Sequence, residues 1–371
     1  MMTAKNVLGI IFSNAYDEAL PELTALRTMG SIPFAGRYRL IDFPLSNMVN
    51  AGIQKVGVIT KSNYRSLMDH IGNGKAWDLS RKREGMTILP PYNSTESGVF
   101  KDKVDSLYGS IDYLRHADKE LVLCTDCNVV STIDYDAIIK AHTANNADVT
   151  LAYTNGVPPQ MRAATELVMD AQGKVTACRS IDCYSSSVSY SLKIMVISRT
   201  LLERLLHEAH SAGQTSLEQI IASNLQFLNV YGYEVGGFVR VLSSLRSYYE
   251  ANLALLAREN RDLLFDPERP VFTKVRDEVP AVYGLNASVS NSLIADGCRI
   301  EGEVENSILF RGVTVAKGAK IKDSILMQNT YIGENVSLAN VILDKSVVVK
   351  PNKMLCGAQN YPVYVGKGIV I

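Results

Sequence analysis

The chain has 371 residues, 47% of them hydrophobic and 20% charged, which gives room for two domains with real cores and argues against disorder. Thirty-eight Lys and Arg balance thirty-eight Asp and Glu, so no overall basic field favours nucleic acid or an anionic membrane surface. No apolar run approaches the roughly 18 residues of a membrane span, and the run from Val7 to Phe12 is too short and lacks a cleavage site behind it, so a cytosolic protein is expected.

Val7 to Phe12, Val56 to Thr60, Leu121 to Cys124 and Val149 to Ala152 are short apolar runs, predicted as buried strands. Asp134 to Asn145 and Thr200 to His210 carry apolar residues at a spacing near 3.6, the period of an amphipathic helix. This alternation predicts an α/β domain over residues 1–247, with a mostly parallel sheet and helices on both faces. Ligands of such sheets sit at the carboxyl ends of the strands, which directs attention to Ser13, Thr60 and the Thr125-Asp126 pair. Cys124 and Cys127 have C-x-x-C spacing, but they close an apolar run instead of opening a helix, so a structural role is expected. Arg81-Lys82-Arg83-Glu84 reads as a solvated charge run. His207 and His210 lie three apart, not the four that a helical zinc motif needs.

Residues 248–280 are predicted to be a linking helix and loop, the helix ended by Asp266-Pro267. After Pro280 the pattern changes. Asn291-Ser292-Leu293-Ile294, Asn306-Ser307-Ile308-Leu309, Asp323-Ser324-Ile325-Leu326 and Asn340-Val341-Ile342-Leu343 recur every 15 to 17 residues. Aliphatic residues about every six positions between these copies predict a parallel β-helix over 281–371, with an exposed flat face and edge. Acyltransferases built on such a solenoid usually use a histidine there, and none of the five histidines follows residue 280. A scaffold or assembly role is expected for it.

The run Ile32-Pro33-Phe34-Ala35-Gly36-Arg37-Tyr38-Arg39-Leu40-Ile41-Asp42-Phe43-Pro44-Leu45-Ser46-Asn47, continued by Asn50-Ala51-Gly52-Ile53, resembles ADP-glucose pyrophosphorylase (glucose-1-phosphate adenylyltransferase). The resemblance implies a Rossmann-like nucleotidyltransferase domain followed by a left-handed parallel β-helix, and the synthesis of ADP-glucose from ATP and glucose 1-phosphate. Members of this family open with a Gly-Gly-x-Gly-x-Arg loop and a following Lys, where backbone N–H groups and cations meet the phosphates. Here Asn14, Ala15 and Asp17 stand at the glycine positions, Ala19 at the arginine and Met29 at the lysine. Asp17 and Glu18 would then repel a triphosphate.

The family's Gly-Thr-Ala-Asp-Ala segment becomes Asp102-Lys103-Val104-Asp105-Ser106, which keeps only its aspartate, Asp105. Of two Mg²⁺-binding aspartates, one matches Asp126 and the other falls on Val241, which cannot ligate a metal. A Glu-Lys-Pro sugar-phosphate segment has no counterpart near Arg179 to Cys183. These losses resemble a non-catalytic, regulatory subunit of the type found beside a catalytic subunit in glycogen-making Firmicutes. The expectation is no cofactor of its own, with Mg²⁺ in the catalytic partner and Asp126 a residual ligand. A hetero-oligomer with a catalytic ADP-glucose pyrophosphorylase subunit is expected, a tetramer by resemblance, or a homo-oligomer when the chain is alone. A divergent active enzyme and a scaffold without a ligand site are the competing readings. Arg37 and Arg39, two apart on an extended segment, would share one face and suit a phosphorylated effector, with Tyr64 and Arg65 completing the pocket; the resemblance places Arg37 in an activator site near the β-helix.

Overall fold

The computed structural model describes residues 4–91, 102–160, 164–181 and 186–371. Its first part is built on a nine-stranded sheet. The strands are β1 (Val7–Phe12), β2 (Lys55–Ile59), β3 (Gly85–Leu89), β4 (Leu121–Asp126), β5 (Val149–Gly156), β6 (Thr165–Met169), β7 (Val175–Ser180), β8 (Val188–Ser198) and β9 (Val230–Glu234). The order β3-β2-β1-β4 is parallel throughout. β8 then runs antiparallel to both β4 and β5, and the β6-β7 hairpin adds a further antiparallel edge. The sheet is therefore parallel at its centre and mixed beyond β4.

All six residues of β1 are buried, as expected of a strand covered on both faces. Its side chains alternate between two cores. Val7 and Ile11 join one cluster, and Leu8, Ile10 and Phe12 join the other. Helices follow the strands: α1 (Asp42–Asn50), α2 (Arg65–Ile71), α3 (Lys103–Tyr108), α4 (Tyr135–Ala144), α5 (Arg199–Ser211), α6 (Leu217–Ser223) and α7 (Leu245–Leu253). α1 packs so closely on β1 that a Cβ at Gly9 would lie 2.5 Å from Met48 Sδ.

The linking helix is interrupted. After α7 a short 3-10 turn, Ala254–Leu256, leads to an extended Ala257 before α8 (Arg258–Leu264) resumes. Carbonyls freed at the break are capped by side chains: Asn260 Nδ2 donates to Ala254 O, and Arg261 Nη1 to Leu255 O and Leu256 O, each at 2.8 Å.

From Val282 onward the chain winds through five coils of a left-handed β-helix, three sheets of five parallel strands each. Aliphatic stacks in strict register fill it, for example Val304, Ile321, Leu338 and Leu355. Asn291, Asn306, Asp323 and Asn340 turn the corners with φ between 41° and 53°, a left-handed conformation that Asn and Asp tolerate best among non-glycine residues. Next to them a hydroxyl ladder climbs the solenoid, with Ser292 Oγ accepting from Ser307 N and Ser307 Oγ from Ser324 N.

The face predicted to be exposed is covered. In the paired strands Ile308–Leu309, Ile325–Leu326 and Val341–Leu343, the leucines point into the solenoid. Ile308, Ile325 and Ile342 point out and join the core of the first domain together with Phe310 and Met327. Arg27 clamps this junction. Its Nη2 donates to both oxygens of Asp344 at 2.8 Å, and Tyr364 Oη donates to the same carboxylate.

Candidate functional site

A cleft of about 720 Å³ opens at the carboxyl ends of β1, β2 and β4, lined on one side by residues 14–19 and on the other by Lys193 and Glu218. The loop after β1 is closed by its own bonds. Asn14 Nδ2 donates to Asp17 Oδ2 (2.6 Å) and Ser62 O, while its Oδ1 accepts from Lys61 N. The amides of Asp17, Ala19 and Leu20 donate to carbonyls within the same loop. Asp17 Oδ1 accepts from the backbone of Met29 at 2.7 Å. Burial pushes the Asp17 carboxyl up to about 6, although the bonds from Asn14 and Met29 oppose the shift.

Ala15, Asp17, Glu18 and Ala19 thus line the cleft as the sequence placed them. Met29 does not: its side chain is fully buried in the core, and only its backbone reaches the site.

The decisive contact lies at the end of β4. Asp126 is fully buried, and Lys103 Nζ sits 2.5 Å from its Oδ2. The lysine starts α3 and carries its ammonium 5.2 Å from the ring centroids of both Phe12 and Tyr16. Burial alone would lower that ammonium, but the Asp126 carboxylate holds it above the ordinary lysine value, so it stays charged.

Asp105, the aspartate kept from the family segment, is on α3 but does not line the cleft. The helix cap is Asp102, whose Oδ1 accepts from Asp105 N. Val241 pairs with Val129 in a two-stranded ribbon just beyond Asp126. Among the described residues no three His, Cys, Asp or Glu side chains gather as a metal site. Mg²⁺ needs several oxygen ligands, whereas Asp126 offers one carboxylate already bridged by a cation, and an aliphatic side chain stands at the second position. The residues present do not fit the metal.

The opposite wall is also an ion pair. β8 shifts register between Ser191 and Ile194, and Lys193 there has φ 61°. Its ammonium pairs with Glu218, which also accepts from Ser191 and, at 2.8 Å, from Thr165 Oγ1. Sequence reasoning missed Lys103, Lys193 and Glu218. The signals were present: a lysine inside the altered segment Asp102 to Ser106, and a lysine interrupting the apolar run of β8. Of the sugar-phosphate stretch, Arg179 lies in β7, and Cys183 is outside the described residues.

A second group of cations lies at the junction with the β-helix. Arg37 is exposed in the turn of a small hairpin (Pro33–Phe34 with Tyr38–Arg39), against the Tyr38 ring. Arg39 is buried and donates to Ser66 O (2.6 Å) and Ser66 Oγ. Arg37 at the end of the turn is exposed while Arg39 in the strand is buried, so the two arginines sit in different environments. Ser66 is in α2, whose first residue, Arg65, is exposed with Tyr64 just before it.

The β-helix adds Arg311, which is 6% exposed and whose Nε and Nη2 have no hydrogen-bond partner among the described residues. Its nearest carboxylate, Asp296, is 3.9 Å away. Burial, with Arg37 and Arg276 nearby, lowers the Arg311 guanidinium. Burial also lowers Lys345 to about 7, helped by Arg39, Arg27 and Lys367. The arginines at 27, 37, 39, 276 and 311 and Lys345 therefore form one connected basic region. Elsewhere, Cys124 and Cys127 are buried free thiols, His207 and His210 flank the Tyr108 ring, and Arg81 pairs with Asp78 at the surface.

Comparison with known proteins matches both halves of this architecture. Residues 9–164 match the nucleotidyl transferase family and residues 279–360 the GlmU-like, C-terminal hexapeptide family. The glycogen biosynthesis protein GlgD of Bacillus subtilis (strain 168) is 37% identical over 373 residues, covering 100% of this chain and 98% of its own. GlgD of Geobacillus stearothermophilus is 37% identical over 98% of this chain and 97% of its own. The chain belongs to the glucose-1-phosphate adenylyltransferase family. A glucose-1-phosphate adenylyltransferase of Clostridium perfringens (strain SM101 / Type A) is 31% identical over 89% of this chain and 87% of its own. Within the family the chain is thus similar both to proteins named for the enzyme and to proteins named for glycogen biosynthesis. No helix of the described residues is long and apolar enough to cross a membrane.

Proposed function

We propose that this chain acts in glycogen biosynthesis as a regulatory, non-catalytic subunit of ADP-glucose pyrophosphorylase, assembled with a catalytic subunit. The observation that carries the reading is the Lys103–Asp126 pair, which fills the position where nucleotidyl transfer needs a metal-bearing carboxylate. Closure of the loop through Asn14 and Asp17 supports it further. Each lost electrostatic contact of this kind is worth on the order of 10² to 10³ in rate, and groups acting on the same phosphates fail together.

The retained chemistry is the basic region at the junction. Arg311 offers buried N–H groups without partners among the described residues, and a phosphorylated metabolite would satisfy them through charge-assisted bonds. Such a ligand touches both domains, so its binding energy can shift their arrangement and that of a partner.

The test is an assay of ADP-glucose synthesis by this chain alone, by a catalytic subunit alone, and by the two together. The chain alone should show no turnover with Mg²⁺, while the mixture should co-elute on size exclusion and respond differently to effectors. Turnover by the chain alone would favour a divergent enzyme instead. In the mixture, Arg37→Ala with Arg311→Ala should weaken the effector response by about tenfold or more and leave the basal rate of the partner unchanged.

A further inference from the structure

Lys103 lines the cleft and covers a fully buried carboxylate from a different element, Asp126, which itself does not line it, at the place where the family fold leads one to expect a divalent cation. Asp126 Oδ2 is bridged by Lys103, and Asp126 Oδ1 has no hydrogen-bond partner among the described residues. An ammonium needs no second carboxylate, because its three donors and single charge are satisfied by one oxygen and two flanking rings. Phe12 and Tyr16 supply those rings.

We propose that Lys103 is a tethered cation that takes the place of the divalent metal at Asp126 and excludes that metal from the cleft. The reasoning is electrostatic. A metal approaching Asp126 must displace the ammonium or lie beside it, and like charges a few ångströms apart in a partly buried site repel strongly. Val241 removes the other ligand, so two independent changes bar the metal. They are separable because they lie on different elements: α3 for Lys103 and the Arg240–Val241 strand for Val241. Val241 packs against the core of the first domain, two positions before Ser243, which lines the cleft. This deepens the non-catalytic reading but is tested apart from it, by metal occupancy instead of turnover.

The probe is Mn²⁺ alone, titrated into the full chain and followed by the loss of the free-ion electron paramagnetic resonance signal. Four proteins are compared: the parent, Val241→Asp, Val241→Asp with Lys103→Met, and Val241→Asp with Lys103→Arg. Methionine keeps an unbranched stem against the two rings, and arginine keeps the charge. Parent, single variant and arginine variant should show no specific Mn²⁺ site. The methionine double variant should bind one Mn²⁺, and adding Asp126→Asn should abolish that site.

Equal Mn²⁺ affinity in Val241→Asp and the methionine double variant would overturn the proposal, since Lys103 would then be no barrier. So would a folded double variant, checked by circular dichroism, that binds no tighter than the parent. If the methionine variant does not fold, Lys103→Gln with Val241→Asp makes the same comparison. A parent chain that is inactive yet binds Mn²⁺ through Asp126 would sink this inference and leave the regulatory reading standing.

Discussion

Burial holds the carboxyl of Asp17 at about 6. The folded state then keeps the proton more tightly than the unfolded chain does. The associated stability is full below about pH 4 and is lost as the pH rises through about 6. Asp17→Asn keeps an acceptor for the Met29 amide and removes the buried charge. It also loses the bond that Asn14 Nδ2 donates to the carboxylate, so its melting temperature relative to the parent should rise between about pH 4 and about pH 7.5; thermal melts across that range check it, and a pH-independent difference would argue against the burial effect. Lys345 works in the opposite sense for ligands. Its charge fades as the pH rises through about 7, so binding of inorganic pyrophosphate at the junction, measured by calorimetry, should weaken over that interval. Lys345→Met should flatten the dependence.

At the scale of elements, the Ile-Leu doublets of the β-helix hold two cores at once. Each leucine fills the solenoid and each isoleucine enters the first domain. Ile325→Ala should therefore cost about 2–4 kcal/mol, as for other buried truncations, although it lies on the outside of a coil. Lys322→Ala, on a solvent-facing sheet and paired with the exposed Glu305, should change stability by less than about 0.5 kcal/mol. Denaturant midpoints of the two variants decide between a covered and an exposed face. Asn306 holds φ 48° at a corner, and Asn306→Ala should cost about 1 kcal/mol for the left-handed turn.

For the whole molecule, the shared core and the buried Arg27–Asp344 pair imply that the two domains unfold together. Both charges are about 3% exposed, and removing one partner leaves the other buried and unpaired, a loss of about 3–5 kcal/mol. Asp344→Ala should lower the melting temperature of the entire chain in a single calorimetric transition. If the β-helix melted separately and the first domain kept its parent midpoint, the clamp would be local in effect.

The sequence by itself determined the two architectures, because period and composition act locally. Six apolar residues in a row made β1 a strand buried on both faces, and the Asn/Asp-Ser repeat set the corners of a solenoid. It also marked the altered loop at Asn14, Ala15, Asp17 and Ala19. Only the tertiary structure decided what fills the cleft, since the Lys103–Asp126 and Lys193–Glu218 pairs join residues 23 and 25 positions apart that no local pattern couples. It likewise moved the Met29 side chain out of the site, buried Arg39 while leaving Arg37 exposed, and brought Arg311 across from another domain. The covered face of the β-helix lay between these cases: a doublet of two apolar residues announced burial on both sides, but which surface would cover the isoleucines depended on where the first domain came to rest.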